Sequence, residues 1–169
     1  MKIVLIGSSV ALGAAVAVLA MSSGCGKKSE AAPASTTAPL VTPEAPGADG
    51  SYALTTDAAD CKAGATCAVT LRLEARGEYH LNAEYPYKFT AANAPSVDFL
   101  GTDGGGKNVF TKVAGDFAKQ SEKVGVMTVK FTPKAAGNVT IEGVYKLSVC
   151  SEATCKLDNP SAKVTLAVR

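Results

Sequence analysis

The sequence predicts an all-β fold, an antiparallel sandwich, and three observations carry that reading. Apolar and polar residues alternate with a period of two in several stretches after Met21. Gly and Pro punctuate those stretches at short intervals. No stretch after Met21 carries the longer periodicity of an amphipathic helix, so the pattern favours many short strands joined by turns.

Taken in order, Tyr52 to Thr55 is a short first candidate. Val69, Leu71 and Leu73 alternate with Thr70, Arg72 and Glu74, as a half-buried strand requires, and Gly77 marks the turn behind them. Shorter candidates follow at Tyr79 to Leu81, Tyr87 to Thr90 and Val97 to Leu100. The Gly104-Gly105-Gly106 run lies between strand candidates and lacks the strand, helix and Lys-Ser/Thr context of a phosphate loop, so it reads as a loop. Asp116 to Lys119 fits either a helical turn or an edge strand. Met127, Val129 and Phe131 form the next alternating set, ended by Pro133. Val139, Ile141, Tyr145, Leu147 and Val149 share one parity in a long strand, with Gly143 read as a bulge or bend, and Val164, Leu166 and Val168 close the chain.

With 169 residues the chain holds one ordinary domain, placed at 51–169, or at most two small ones. Seventeen Lys and Arg against fifteen Asp and Glu, with no long block of either sign, leave out the basic footprint of a nucleic-acid binder. A single His argues against multi-His metal sites, and no cofactor motif is present.

Much of the 47% hydrophobic content sits at the N-terminus. Met1 and Lys2 begin it, Ile3 to Met21 is an uncharged apolar and small-residue run, and Ser22-Ser23-Gly24 leads into Cys25. That is the layout of a secretory signal. Its end resembles the lipobox of bacterial lipoproteins, with Ser22 where Leu is usual. The resemblance implies a signal peptide over 1–24, removal of that segment and lipidation of Cys25, hence attachment to membrane lipid in the bacterial cell envelope, on a periplasmic or outer-membrane face. An uncleaved membrane anchor or soluble secretion are the alternatives, and each also puts the domain outside the cytoplasm. Residues 25–50 are rich in Ala, Pro, Ser and Thr, too poor in large apolar groups to offset their ordering entropy, and read as a tether.

Without Cys25, four cysteines remain, an even set suited to an oxidising compartment. Cys150 ends the long strand and Cys155 precedes the last one, which places them across the mouth of a hairpin, while Cys61 and Cys67 bracket a Gly-containing loop. Two local bridges are the simplest of the three possible connectivities. On the chain-entropy model each short loop stabilises by only about 2 kcal/mol. Spacing alone favours structural staples and leaves room for a redox role at one pair. A zinc site of four thiolates conflicts with both the compartment and the intervals.

Gly77-Glu78-Tyr79-His80-Leu81-Asn82 behind an alternating strand, then Pro86, then a strand running into Cys150 with Cys155 and a last strand behind it, is similar to the N-terminal periplasmic domain of the thiol:disulfide interchange protein DsbD. The resemblance spans roughly Leu71 to Val168. It implies an immunoglobulin-like sandwich in which Cys150 and Cys155 pass electrons between a separate membrane reductase and thioredoxin-like envelope proteins. The family usually has five residues between these cysteines, and here there are four. His80 could assist a thiolate by charge or serve as an ordinary strand residue. Tyr79, Tyr85, Tyr87 and Phe89 could form a docking surface or cover the cysteines, or pack in the core. Two function classes emerge: a tethered thiol:disulfide carrier, and a noncatalytic immunoglobulin-like module with inert bridges.

Overall fold

The computed structural model describes residues 42–46 and 49–169. The predicted signal over 1–24, Cys25 and most of the predicted tether lie outside the described residues. Two antiparallel sheets pack face to face as a β-sandwich, and no helix occurs among the described residues.

The first sheet is built from β1 (Thr42–Pro46), β2 (Tyr52–Ala58), β3 (Cys67–Ala75) and β9 (Val124–Pro133), paired in that order. β6 (Val97–Phe99) and β8 (Phe117–Lys119) both pair with β9, opposite Pro133 to Phe131 and Met127 to Gly125 respectively. β1 falls inside the stretch that composition assigns to the tether. Its partner is β2, with Ala45 opposite Leu54 and Pro46 opposite Ala53, and such pairing runs through backbone groups that composition does not register. The segment Asp116 to Lys119 resolves as an edge strand rather than a helical turn.

The second sheet is organised by β10 (Gly137–Cys150), the longest strand. On one side lie β12 (Ser161–Val168), along Gly137 to Val144, and then β11 (Cys155–Asp158), along Leu147 to Cys150. On the other side lie β5 (Lys88–Ala91), which also carries β7 (Val109–Thr111), and β4 (His80–Leu81). The odd-numbered residues Val139, Ile141, Tyr145, Leu147 and Val149 turn into the core, as the period of two demands.

Gly143 is not a bulge. The ladder runs through it in unbroken register, with Glu142, Gly143 and Val144 opposite Lys163, Ala162 and Ser161. A Cβ at this position would lie 2.3 Å from the Thr90 carbonyl oxygen and 2.6 Å from Phe89 Cζ, so the glycine makes room for the ring of the neighbouring strand. The irregularity that the sequence pattern suggested sits instead on the facing side, where Asn159 and Pro160 separate β11 from β12 and the Tyr145 N–H donates to the Pro160 carbonyl.

Aromatic pairs join the sheets. Tyr87 stacks on Phe117 with centroids 4.2 Å apart, and Phe99 meets Phe110 edge to face at 6.3 Å. Tyr87 and Phe89 are therefore core residues, while Tyr79 and Tyr85 are only half-buried.

Candidate functional site: the Cys150–Cys155 hairpin

Cys150 and Cys155 are direct partners in the β10–β11 ladder and form a disulfide, with their Cα atoms 3.9 Å apart. The turn between them explains the close approach. Ser151 N–H donates to the Thr154 carbonyl at 2.8 Å, so the next pair inward, the cysteines, is a non-hydrogen-bonded pair, where opposed Cα atoms come nearest. Ser151 Oγ also accepts from the N–H groups of Ala153 and Thr154, both at 3.3 Å, which holds the turn from inside.

Parity puts the bridge on the outside of the sandwich. Cys150 is an even-numbered residue on a strand whose odd-numbered residues fill the core, so its side chain and that of Cys155 leave the sheet on the outer face. The two cysteines differ in access: Cys150 is 7% exposed and Cys155 is exposed to solvent. On the side of β10 away from Cys155, the residue opposite Cys150 is His80, so His80, Cys150 and Cys155 form one row across three strands. Leu157, two residues beyond Cys155 on the same face, is 67% exposed.

The alternate residues of β11 turn toward the opposite sheet, and they are polar. Tyr52 Oη donates to Asp158 Oδ2 at 2.6 Å, and Lys156 forms an ion pair with Asp49 while its Nζ sits 4.6 Å from the Tyr79 ring centroid. Hydrogen bonds from Lys156 and Ser51 hold the Asp49 carboxyl far below the usual carboxylate range, and the Asp49 carboxylate raises the Lys156 ammonium in turn. Burial first, and the Asp158 carboxylate second, push the Tyr52 hydroxyl far above its ordinary value. β11 is thus fastened by charge and hydrogen bonds where its neighbours are fastened by apolar packing. Sequence reasoning missed this set. Its one signal is the alternation in Cys155-Lys156-Leu157-Asp158, which puts the polar residues on the face opposite to the cysteine.

Cys61 and Cys67 also form a disulfide, with a Cα separation of 5.5 Å, but in a different setting. Both are buried among core residues, at 2% and 7% exposure. Around them Arg169 N–H donates to the Cys61 carbonyl, Ala63 N–H to the Arg169 carbonyl and Gly64 N–H to the Pro133 carbonyl. The disulfide closes the β2–β3 connection, and these backbone bonds fasten it to the ends of β12 and β9. The two local pairings are those that spacing made simplest, and they differ in accessibility. No group of three or more His, Cys, Asp or Glu residues is placed to hold a metal ion among the described residues.

No protein-family model matches the chain, and no curated protein matches it. A solved structure to which it is similar is that of AggA, the major subunit of aggregative adherence fimbriae type I from Escherichia coli, at 9% identity, covering 70% of this chain and 95% of that one with a TM-score of 0.34.

Proposed function

We propose that the chain is a membrane-tethered extracytoplasmic lipoprotein whose sandwich exchanges thiols and disulfides with envelope redox partners through Cys150 and Cys155. The observation that supports this reading is the contrast between the bridges: one is shut in the core, whereas the other lies on an outer face with Cys155 open to solvent. Exchange requires in-line access of a thiolate to a sulfur, and only the outer bridge offers it.

The step follows from that access. A partner thiolate attacks the Cys155 sulfur, the Cys150–Cys155 bond breaks, and Cys150 leaves as a thiolate. The second thiolate of the partner then attacks its own half of the mixed disulfide and releases Cys155. Two electrons have moved, the partner now carries a disulfide, and this pair is a dithiol ready to run the reverse sequence on an oxidised acceptor. The donor and acceptor are separate proteins, a membrane reductase and thioredoxin-like envelope proteins.

The test is a measurement of both bridges in glutathione buffers together with Cys150→Ser trapping. Exchange predicts an outer bridge with a potential above about −300 mV and an inner bridge below it. It also predicts a mixed disulfide between Cys155 of the variant and a thioredoxin-like envelope protein. Equal resistance of both bridges, with no protein trapped, would replace this reading by the noncatalytic module. Labelling of Cys25 by a fatty-acid analogue, abolished in Cys25→Ala, tests the anchor.

A further inference from the structure

A cleft of about 650 Å³ opens on the outer face of the second sheet, within the size range of small-molecule sites. Its floor is a row across three strands: Lys146 of β10 faces Lys88 of β5, and Lys88 faces Thr111 of β7. Like charges set directly opposite each other destabilise a sheet. Further along the same sheet Lys163 of β12 is paired with the opposed Glu142 of β10, yet neither Lys88 nor Lys146 has an acidic ion-pair partner among the described residues.

The walls are fixed in advance. Tyr85 lines one side, held edge to face against the buried Tyr87 at 5.4 Å. The other side is the loop that carries the Gly104-Gly105-Gly106 run, and here the glycines are required: Gly104 and Gly106 have φ of 80° and 125°, and a Cβ at Gly101 would lie 2.2 Å from the Val109 carbonyl oxygen. This loop brings Asp103 to the cleft with its Oδ1 accepting from the Gly105 N–H at 2.7 Å, which leaves Oδ2 without a hydrogen-bond partner among the described residues. Val113, 89% exposed, sits on the rim.

Two unpaired ammonium groups call for an anion. One carboxylate beside them repels a bare anion and accepts from hydroxyl groups, and a fixed aromatic wall suits the apolar C–H face of a ring. We propose that the cleft binds a small acidic sugar, with its carboxylate or phosphate between Lys88 and Lys146, its hydroxyls on Asp103 and Thr111, and its ring against Tyr85. The site uses none of the residues of the disulfide hairpin and stands apart from the redox reading.

The test is a titration of the isotopically labelled full chain, followed by amide chemical shifts, with glucuronate, a glucose phosphate, glucose and inorganic phosphate as separate probes. Saturable shifts at Lys88, Asp103, Thr111 and Lys146 with either acidic sugar support the site, and the one that binds more tightly identifies the anionic group. Glucose and inorganic phosphate are expected to bind at least about tenfold more weakly, because each lacks half of the contacts. In the Lys88→Gln/Lys146→Gln double variant, affinity for the acidic sugar is expected to fall about tenfold or more while shifts remote from the cleft stay unchanged. The proposal is overturned if neither acidic sugar gives saturable shifts, if inorganic phosphate binds as tightly as they do, or if the double variant retains full affinity.

Discussion

His80 lies directly opposite Cys150 in the β4–β10 ladder, on the side of the strand away from Cys155. Opposed residues in an antiparallel pair have Cβ atoms about 4.5–5.5 Å apart and share a face, so the imidazole and the sulfur leave the sheet as neighbours. β4 is held there by backbone bonds to both sides, Leu81 N–H to the Glu122 carbonyl at 2.8 Å and Asn82 N–H to the Ser148 carbonyl at 3.3 Å. The short strand therefore fixes His80 against the end of β10.

That neighbourhood predicts a measurable effect on the reduced pair. A ring able to carry positive charge beside a thiol favours the thiolate. In a Cys155→Ser background, which leaves Cys150 as the thiol of the outer pair, His80→Gln is expected to move the Cys150 ionisation to higher pH. Thiolate ultraviolet absorbance against pH reads the shift, and superimposable curves would show that the two side chains do not interact.

The bridges should differ in what they contribute to stability. Opening either short loop in the unfolded chain accounts for about 2 kcal/mol, a fraction of a typical 5–15 kcal/mol. Replacing Cys150 and Cys155 by Ser is expected to lose about that amount plus the burial of one hydroxyl, at position 150, since Cys155 is exposed. Replacing Cys61 and Cys67 by Ser adds the burial of two hydroxyls among core residues, about 1–3 kcal/mol for each left unpaired. Urea midpoints at unchanged m-value make the comparison, and equal losses would contradict it.

Strands that expose one face to solvent were legible because burial imposes a period of two on the residues themselves. β3, β9, β10 and β12 all announce it. The short β7, Val109–Thr111, was missed because Val109 and Phe110 are both buried and the alternation breaks. β1 was missed because its pairing with β2 runs through the backbone. At the hairpin, spacing made the Cys150–Cys155 pairing the simplest of three connectivities, and the β10–β11 register places the two cysteines opposite each other. The partners His80, Tyr52 and Asp49 come from distant parts of the chain, and only the register of the folded sheets brings them to β10 and β11.

Gly143 offers a direct check on the packing. If the glycine served a bulge, Ala could be tolerated there by a small adjustment. In the observed regular ladder its Cβ meets the Thr90 carbonyl, the Phe89 ring and the Ala91 Cα, the last at 2.8 Å. Gly143→Ala is expected to destabilise by about 1–3 kcal/mol through overpacking. For a domain of this size that lowers Tm by about 3–5 °C per kcal/mol, which thermal unfolding followed by circular dichroism will show.

Alkaline titration tests the interior. Burial is the leading cause that raises the hydroxyls of Tyr52, Tyr87 and Tyr145, with the Asp158 carboxylate adding to it at Tyr52. Tyr87 Oη donates to the Ser148 carbonyl at 2.7 Å, and Tyr145 is fully buried. For an acid whose folded pKa lies above its unfolded value, the folded state favours the neutral form. The resulting stability is complete below the unfolded value of about 10 and is lost as pH climbs from there toward the folded value. These three tyrosines are therefore expected to stay un-ionised while the sandwich is intact and to release their protons together as it unfolds. Phenolate absorbance and the β signal in circular dichroism, recorded on the same samples, should change in one coincident step for these groups. A reversible phenolate signal from all the tyrosines with the β signal unchanged would contradict the buried placement of Tyr87 and Tyr145.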